Sequence, residues 1–557
     1  MNNIMPIPNP NETPTSYADR LGMWYSATVS LEHKKAYGQY LTPRSIATYM
    51  AGFLRIEQDE VWLLDPGAGS GVLACSAAEH LAAQDVSPSR LHVEAYETDQ
   101  ALARVLSTSL AYLGEWLSSR AISLEAAVRT ADFVMTYSQA LSDVLGENPS
   151  LFTADTNPRC FDIVVSNPPY FKVPKSDPRA KSTGTVIHGQ PNIYALFMAV
   201  AASALKPSGQ FVFITPRSYT SGPYFRLFRE RFFAKMRPEA VHVFESRTDA
   251  FKRDDILQEN IILKARREDG WTRISKNAFI RISSSNGSGD FLECRSHEVR
   301  SELILDLSSF DKVLHVPTSD EELAVMETVR SWSGSLQKMG LEISTGPVVP
   351  FRAVPLLDEE GEVPRSHAPL LWMQHVKAMK VRWPISLKRK PQFIKVTRSA
   401  MKLLVPNRNY VLIRRFSAKE ENRRLVAAPY LSRELDSPWL GLENHLNYIH
   451  RPGGDLTEEE ACGLSALYNC SMLDTYFRTL NGSTQVSATE LRAMPLPEKQ
   501  QIVTLGEIAK DLSDRLDELD ALVTAVFSPR TAASTGRLFL AAHETLVESV
   551  REAATSG

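Results

Sequence analysis

The stretch Val61–Ala74, VWLLDPGAGSGVLA, decides the fold. An apolar segment of strand length reaches Asp65, and a turn with Gly67, Gly69 and Gly71 leads into a helix-forming segment. Glycine lets a chain turn tightly and approach a ligand closely. In an α/β sheet such a turn lies at the carboxyl end of a strand, where a ligand meets the N-terminus of the next helix. The stretch predicts a ligand pocket at a sheet edge, although a purely structural glycine turn would have the same sequence.

The chain around this stretch, from Tyr17 to Ala265, alternates between strand-length apolar runs and helix-length amphipathic runs. The predicted strands are Val61–Leu64, Leu91–Tyr96, Phe161–Ser166, Phe211–Ile214, Ala240–Phe244 and Asn260–Lys264. The predicted helices are Pro43–Leu54, Gly71–Leu81, Gln100–Ser118, Asn192–Ala204 and Tyr224–Met236. This alternation favours an α/β fold with a mostly parallel sheet and helices on both faces.

Acidic residues accompany the glycine turn in an order that suits one ligand. Asp65 leads the turn, and a carboxylate there suits a cationic or amino-bearing ligand better than a diphosphate. Glu97 ends the second predicted strand, where an acid can accept both hydroxyls of a ribose. Asp132 could hold an adenine amino group while Phe133 stacks on the ring. Each acid alone fits a helix cap or a loop, but together they fit S-adenosylmethionine.

The segment Phe161–Val173, FDIVVSNPPYFKV, carries the reaction in our interpretation. A buried strand runs directly into Asn167, Pro168, Pro169 and Tyr170. The prolines fix the backbone and remove two N–H donors, so neighbouring carbonyls lack local partners. The side-chain oxygen of Asn167 and the carbonyl of Pro168 can then accept two hydrogen bonds from one amino group, while Tyr170 stacks on the ring that bears it.

This arrangement suits an exocyclic aromatic amine, which is a poor nucleophile because its lone pair is delocalised. Two acceptors on its hydrogens favour tetrahedral geometry and stabilise the developing positive charge. Neither a metal nor a strong base is required. A proline-rich strand end built only for rigidity is the structural alternative.

Five motifs in order, GQYLTP (Gly38–Pro43), DPGAGSG, YETD, ADF and NPPY, resemble those of γ-class DNA adenine-N6 methyltransferases of restriction–modification systems. The resemblance is specific over residues 30–265. It implies a Rossmann-like S-adenosylmethionine-dependent domain with a mostly parallel seven-stranded sheet, followed by a mixed α+β target-recognition domain. Weaker likeness to the Eco57I-like and PstI-like group continues in Ser344–Arg352, Asn444–Arg451 and Asn469–Pro497.

The resemblance also implies roles for single residues. Cofactor binding falls to Thr42, Pro43, Asp65, Gly67, Gly69, Gly71, Glu97, Asp132 and Phe133. The target base is gripped by Asn167, Pro168, Pro169 and Tyr170. Phe251, in the segment Glu245–Leu263, is the candidate for a second aromatic against the base, although a Phe among apolar neighbours also suits the core.

The charge distribution points to a polyanion. The whole chain is nearly neutral, with 62 Lys and Arg against 65 Asp and Glu, which excludes a uniformly basic surface. The stretch Val363–Lys419, however, contains fourteen Lys or Arg, five interleaved aromatic residues and no Asp or Glu. The predicted DNA contacts are Lys388, Arg389, Lys390, Lys395, Arg398, Arg414 and Arg415. A solvated basic face is the structural alternative.

The domain boundaries follow changes in composition. We expect a flexible start (1–16), a catalytic domain (17–282), a linker at Ser283–Gly289, a DNA target-recognition domain (290–497) and a C-terminal helical region (498–557). Apolar residues at spacings of three and four predict one long helix over about Gln501–Phe527. We expect it to pack on its own recognition domain, with a dimer coiled coil as the alternative.

The cysteines and the hydropathy define the setting. Five scattered cysteines without a CxxC pair indicate neither a disulfide framework nor a zinc site, and no apolar run approaches bilayer length. We therefore expect a cytoplasmic protein. The resemblance further implies that it acts on double-stranded DNA by base flipping, with a companion restriction endonuclease encoded separately. The alternatives are a protein glutamine-N5 methyltransferase, a DNA cytosine-N4 methyltransferase and a nucleic-acid-binding subunit with an inactive methyltransferase fold.

Overall fold

The computed structural model describes residues 4–138, 141, 160–187, 191–245, 259–273, 278–287, 289–291, 294–385, 387–418, 420–481 and 484–527. The chain forms two compact units, Met1–Thr318 and Ser319–Gly557. In the described part of the chain, no helix is long and apolar enough to cross a membrane.

The first unit contains ten α-helices among its described residues: α1 (Pro14–Thr28), α2 (Leu31–Tyr37), α3 (Arg44–Ala51), α4 (Val72–Ala82), α5 (Gln100–Ser118), α6 (Phe133–Tyr137), α7 (Pro178–Ser182), α8 (Ile193–Ser203), α9 (Arg226–Lys235) and α10 (Ser301–Ile304). Its described strands are β1 (Glu60–Pro66), β2 (Arg90–Tyr96), β3 (Ser123–Arg129), β4 (Phe161–Ser166), β5 (Leu205–Pro216), β6 (Met236–Phe244), β7 (Asn260–Arg267), β8 (Phe279–Ser285) and β9 (Arg295–Arg300).

These strands form one sheet in the order β3-β2-β1-β4-β5-β7-β6-β8-β9. The strands β1 to β5 pair in parallel, and β7 is antiparallel to both of its neighbours. The predicted α/β fold with a mostly parallel sheet is confirmed, and two strands, β8 and β9, extend the seven expected. The carboxyl ends of β1, β2 and β4 lie side by side, which brings the loops after these strands together.

Local sequence explains the elements around these loops. Helix α5 begins where the Asp99 carboxylate accepts hydrogen bonds from the amides of Ala101 and Leu102. Its buried apolar residues recur at spacings of three and four. Leu106, Leu110, Leu113 and Leu117 belong to the core that includes the sheet, whereas Leu102 and Val105 pack with residues of α1. Helix α8 is buried along its whole length, which explains why its sequence is almost entirely apolar.

Two features of the first unit differ from the sequence-based expectation. Strand β3 was not predicted, because it lies at the sheet edge and its burial alternates only weakly. Ser283–Gly289, expected as a linker, instead begins inside β8, where Ser283, Ser284 and Ser285 are buried. Serine can occupy these positions because His242 Nδ1 and Nε2 lie 2.9 and 3.0 Å from the hydroxyls of Ser283 and Ser285. The boundary between the units falls later, at Thr318.

The second unit contains short strands and, towards its end, helices. Its described helices are α11 (Asp320–Arg330), α12 (Pro350–Ala353), α13 (Glu458–Asn469), α14 (Ser471–Leu480), α15 (Ala488–Ala493), α16 (Lys499–Ala509) and α17 (Leu516–Phe527). Its described strands are β10 (Glu342–Thr345), β11 (Leu357–Asp358), β12 (His367–Leu371), β13 (Val376–Lys377), β14 (Lys380–Val381), β15 (Phe393–Lys395), β16 (Leu404–Pro406), β17 (Tyr410–Arg414), β18 (Ala427–Tyr430), β19 (Trp439–Leu442) and β20 (Leu446–His450).

The strands of the second unit form sheets in the orders β10-β20-β17-β18 and β11-β15-β12-β19-β16, with β13 paired to β14. The three segments of weaker resemblance meet here, since β10 pairs with β20 and Asn447 Nδ2 donates to the carbonyl of Val486 at 2.8 Å.

The prediction of one long C-terminal helix from Gln501 to Phe527 is wrong. The chain forms two helices there, α16 and α17, which are separated by a turn at 510–515. The apolar spacing continues through the turn, so periodicity alone does not reveal the break. Helix α16 packs on α13 within its own unit, and a Cβ on Gly463 would lie 1.9 Å from the carbonyl oxygen of Ile502. Glycine is therefore required where these two helices approach each other.

Candidate cofactor and catalytic site

A cleft that is open at its mouth lies over the carboxyl ends of β1, β2 and β4. Its walls come from four places: the segment 37–42 before α3, the glycine turn after β1, the end of β2 and the Asn-Pro-Pro-Tyr segment after β4. Phe133 and Phe197 complete the wall from α6 and α8. Segments that are well separated in the sequence thus meet in one cleft, as the motif order predicted.

The glycine turn needs glycine for its backbone. Gly67, Gly69 and Gly71 have φ values of 74°, 58° and 87°, in the left-handed region that disfavours other residues. Gly67 and Gly69 line the cleft. Gly71 does not line it, and instead precedes α4 with Leu106 packed where a Cβ would be. The first two glycines therefore shape the pocket and the third allows close helix packing.

Glu97 lies where the sequence places a ribose-binding acid. Its Oε2 accepts from the amide of Gly69 at 3.2 Å and its Oε1 from the amide of Asp99 at 2.9 Å. The carboxylate is thus fixed between the glycine turn and the end of β2. Each oxygen retains acceptor capacity for a hydroxyl group. Burial, together with the nearby Asp99, raises the pKa of Glu97 to about 7.

Asp65 does not lie where the sequence predicted. Its side chain is completely buried beneath the turn and is not part of the cleft wall. Its Oδ2 accepts from the amide of Ala74 at 3.2 Å, inside α4. Burial and the neighbouring Glu97 raise its pKa to about 8. A carboxyl group in this state attracts a cationic ligand poorly, so we correct its role to one of joining β1 to α4.

Asp99 connects the cleft to the N-terminal helices. Its Oδ2 accepts from the hydroxyl of Tyr25 at 2.5 Å and from Nε2 of Gln39 at 3.1 Å, and lies 2.5 Å from Nε2 of His33. Burial alone would raise the pKa of Asp99, but these hydrogen bonds hold it below its usual range. The residue stands beside Glu97 in the sequence, but its partners come from segments 60 to 74 residues away.

The third predicted acid and its aromatic neighbour separate in the structure. Phe133 is buried and lines the cleft within an aromatic cluster that includes Tyr96 and Phe197. The Asp132 carboxylate instead caps α6, accepting from the amide of Met135 at 3.0 Å, and is not part of the wall. Cofactor contact by Asp132 stays a prediction, whereas the position of Phe133 agrees with stacking on a ring.

The reactive corner, defined as residues Ser166–Tyr170, is held on both sides. Ser166 donates to the carbonyl of Pro66 at 2.5 Å, which ties the end of β4 to the end of β1. The side chain of Asn167 is buried and borders the cleft. Its Nδ2 donates to the carbonyl of Tyr40 at 2.9 Å and to Oγ1 of Thr42 at 3.1 Å. The amide nitrogen is therefore occupied within the protein, and the amide oxygen faces the other way.

Tyr170 holds that oxygen in this structure. Its hydroxyl donates to Oδ1 of Asn167 at 2.6 Å and more weakly to the carbonyl of Ile214 at 3.3 Å. Burial raises the pKa of Tyr170 well above its usual range, so the hydroxyl keeps its proton. The ring of Tyr40 stacks on that of Tyr170, with centroids 5.6 Å apart. Pro169 lines the cleft, whereas Pro168 and Tyr170 are not among its wall residues.

Several residues of the wall were not predicted from the sequence. Gln39 and Tyr40 lie inside the quoted motif GQYLTP but were given no role, although Thr42 beside them was. Pro43, predicted at the cofactor, instead precedes α3 and does not line the cleft. Phe197 belongs to an apolar helix whose sequence carries no sign of a site. Phe251 lies outside the described residues.

The predicted DNA-contacting residues divide into two groups. Arg414 Nε donates to the carbonyl of Val376 and Arg415 Nη1 to that of Asn444, so both hold the fold of the second unit. Lys395 pairs with Asp358 at 3.2 Å. These three cations have partners within the unit.

The other candidates are more available. Lys388, Arg389 and Arg398 are exposed, and in the described part of the chain no ion pair joins them to a carboxylate. Lys390 Nζ lies 4.8 Å from the ring centre of Trp372. We call Lys388–Lys390 the basic turn, since it lies between β14 and β15 and contains three adjacent cations.

Comparison with known proteins places the chain in a family. A model of the Eco57I restriction–modification methylase family matches residues 117–251. The type II methyltransferase M.BsuBI of Bacillus subtilis is 34% identical over 481 residues, which cover 86% of this chain and 91% of that protein. M.PstI of Providencia stuartii is 31% identical over 485 residues, covering 86% and 89%. The chain therefore belongs to the type II methyltransferases of restriction–modification systems.

A solved structure of a type IIL restriction–modification enzyme, MmeI in complex with DNA, is also similar. It is 12% identical, covers 94% of this chain and 74% of its own, and has a TM-score of 0.49.

Proposed function

We propose that this methyltransferase transfers a methyl group from S-adenosylmethionine to N6 of adenine at a specific site in double-stranded DNA. The fixed orientation of the Asn167 amide carries the proposal. Because the nitrogen donates to Tyr40 and Thr42, the oxygen is the atom left to accept a hydrogen bond from a substrate. An amino group is the substrate that such an acceptor selects.

The chain's own residues suit the proposed cofactor. The cleft combines a glycine turn, an acid fixed at the end of β2 and an aromatic wall, which match an amino-acid chain, a ribose and an adenine. Glu97 would accept from the ribose hydroxyls, Phe133 would contact the adenine and the segment 37–42 would cover the methionine part. Bound there, the cofactor supplies an electrophilic methyl carbon.

The reactive corner would act on the amine by positioning it. Oδ1 of Asn167 and the carbonyl of Pro168 would accept from its two hydrogens, which favours a localised lone pair and stabilises positive charge on nitrogen. The hydroxyl of Tyr170 must leave Oδ1 or share it, because one amino hydrogen takes the same acceptor. Since the target nitrogen is paired inside a duplex, the adenine must rotate out of the helix to reach Asn167.

We further propose that the second unit binds the duplex through the basic turn and Arg398. Lys388, Arg389 and Arg398 are exposed and form no ion pair with a carboxylate in the described residues, which suits phosphate contacts. Lys390 lies next to them, over the ring of Trp372. In this proposal methylation protects host DNA in the cytoplasm from a separately encoded restriction endonuclease.

Methyl transfer from labelled S-adenosylmethionine to duplex DNA, followed by digestion and mass spectrometry of the nucleosides, tests the proposal. We expect N6-methyladenine from the natural protein. Asn167→Ala should lower the rate at least about a hundredfold, since it removes a transition-state hydrogen bond, while calorimetry finds cofactor affinity changed by less than about threefold. Asn422→Ala, an exposed asparagine in the second unit, is the matched control.

If the proposed function is wrong, the methylated product shows which other methyltransferase activity the protein has. N4-methylcytosine would exclude adenine as the target, and methylated glutamine in a protein substrate would exclude DNA. Failure to bind the cofactor would indicate a nucleic-acid-binding subunit. With 2-aminopurine at the target position, fluorescence should rise on binding, and an unchanged signal would contradict base flipping.

A further inference from the structure

The nitrogen of the Asn167 amide meets two acceptors of different kinds. The carbonyl of Tyr40, at 2.9 Å, can only accept, so it identifies the nitrogen end of the amide. The hydroxyl of Thr42, at 3.1 Å, takes the second hydrogen. With both hydrogens used, a half-turn of the amide would place oxygen against the carbonyl oxygen of Tyr40. The two acceptors together therefore fix which atom faces the substrate.

The surroundings of these groups make the constraint strong. Asn167 is 8% exposed and Thr42 is 7% exposed, so water has little access to either side chain. A buried amide hydrogen without an acceptor is costly, and hydrogen bonds are stronger in such an environment. The amide therefore has one favourable orientation as long as Thr42 and Tyr40 stay in place.

The segment 37–42 is itself held in place before any ligand binds. Gln39 is anchored by its hydrogen bond to Asp99, and Gly38 has a φ of 61° with Phe171 packed 2.8 Å from where a Cβ would be. The stacked rings of Tyr40 and Tyr170 support it in the middle. At its end, the backbone carbonyl of Pro43 accepts from Ala47 in the first turn of α3. Both acceptors for Asn167 are thus positioned by contacts on either side.

The segment also lines the cofactor cleft, with Thr42 among its wall residues. One short piece of chain therefore contacts the space for the cofactor and the amide that would grip the target base. We infer that Thr42 is a positioning residue, whose hydroxyl orients the amide of Asn167 for methyl transfer. This inference rests on the proposed function, and it gives Thr42 a role distinct from the cofactor contact that the family resemblance implies.

The test compares Thr42→Val with Thr42→Ser in the full-length protein. Valine has nearly the same shape but no acceptor, whereas serine keeps the hydroxyl. The rate of a single turnover is measured with saturating S-adenosylmethionine and DNA, and cofactor affinity is measured by calorimetry. Thr42→Val should lower the saturated rate about tenfold and change cofactor affinity less than about threefold, while Thr42→Ser should keep the rate within about threefold of wild type.

Three outcomes would overturn the inference. Weaker cofactor binding with an unchanged saturated rate would show that Thr42 acts on the cofactor alone. An equal decrease in rate for the valine and serine variants would show that packing matters rather than the hydroxyl. An unchanged rate in Thr42→Val would show that the Tyr40 carbonyl suffices.

Two further measurements distinguish a failure of this inference from a failure of folding or of the proposed function. Thermal melting shows whether the variants fold, and if Thr42→Val does not, Thr42→Ala must give the same decrease in rate for the inference to stand. The rise in 2-aminopurine fluorescence should be the same in Thr42→Val and wild type, because base rotation does not need the amide. If Asn167→Ala were fully active, the proposed function itself would fail, whatever Thr42 variants do.

Discussion

The reactive corner and the basic turn differ in how their polar side chains are held. In the corner, Asn167 donates twice within the protein and accepts from Tyr170, and Ser166 is tied to Pro66. In the basic turn, Lys388 and Arg389 are exposed and have no carboxylate partner in the described part of the chain. The two regions carry the two halves of the proposed function, yet Asn167 of the corner is buried and hydrogen-bonded, whereas Lys388 and Arg389 of the turn are exposed.

The difference follows from what each task needs. Methyl transfer requires atoms aligned to within a fraction of an ångström before the substrate arrives, which buried hydrogen bonds provide. Phosphate binding needs charge and reach, because counterion release depends on the number of cations more than on their exact placement. Cations already committed to the fold, such as Arg414 and Arg415, are poorer candidates for that role.

The largest effect on binding should come from the basic turn. Changing Lys388, Arg389 and Lys390 to Gln should weaken binding to duplex DNA on the order of a hundredfold at low salt, and reduce the salt slope by about one for each phosphate that is no longer neutralised. Fluorescence anisotropy across a salt series measures both quantities. Cofactor affinity should not change.

A matched triple variant tests whether net charge alone explains the result. Lys499, Lys510 and Arg515 each pair with a glutamate in the second unit. Changing these three to Gln removes the same charge and should leave the salt slope nearly unchanged. Equal changes of the salt slope in the two triple variants would contradict the distinction between exposed cations and cations that form ion pairs within the unit.

The next effect concerns Glu97 in the cleft. Glu97→Gln keeps the size of the side chain but removes its charge and one acceptor oxygen, so S-adenosylmethionine should bind about tenfold more weakly, in line with removal of a charge-assisted hydrogen bond. Calorimetry measures the affinity. DNA binding by anisotropy should stay as in wild type, and weaker binding there would contradict the separate roles of the two regions.

The smallest effect on activity should come from Asp65, whose ionisation instead affects stability. Its folded-state pKa of about 8 lies above the value of about 4 for an unfolded chain. The stability that the neutral form contributes is therefore present below about pH 4 and decreases as pH rises towards 8. Between about pH 5 and 8, wild type should lose roughly 3 kcal/mol of unfolding free energy that Asp65→Asn does not lose.

Urea unfolding of both proteins across this pH range checks the prediction. Parallel pH profiles for Asp65→Asn and wild type would show that Asp65 ionises normally. In that case the correction of its role from ligand contact to buried structural group would lose its support.

Sequence patterns predicted elements of the first unit well wherever a single local signal is strong. Strand β4 and helix α5 have the predicted bounds, Phe161–Ser166 and Gln100–Ser118, because burial and an N-cap mark them. Strand β3 was missed, since an edge strand needs few apolar residues when pairing with β2 holds it. The break between α16 and α17 was missed because apolar spacing continues across it.

The sequence by itself determined the order of the glycine turn, the acids and the Asn-Pro-Pro-Tyr segment, and with it the fold class and the class of reaction. These signals are local, because each depends on the backbone conformation of a few residues or on the polar residues at the end of one strand. Only the tertiary structure decided that Asp65 is buried, that Asp99 anchors Gln39, and that Thr42 holds the amide of Asn167. The hydrogen bond between Gln39 and Asp99 joins residues 60 positions apart, and the one between Thr42 and Asn167 joins residues 125 positions apart. Such bonds form because buried polar groups need partners, and no local sequence pattern identifies those partners.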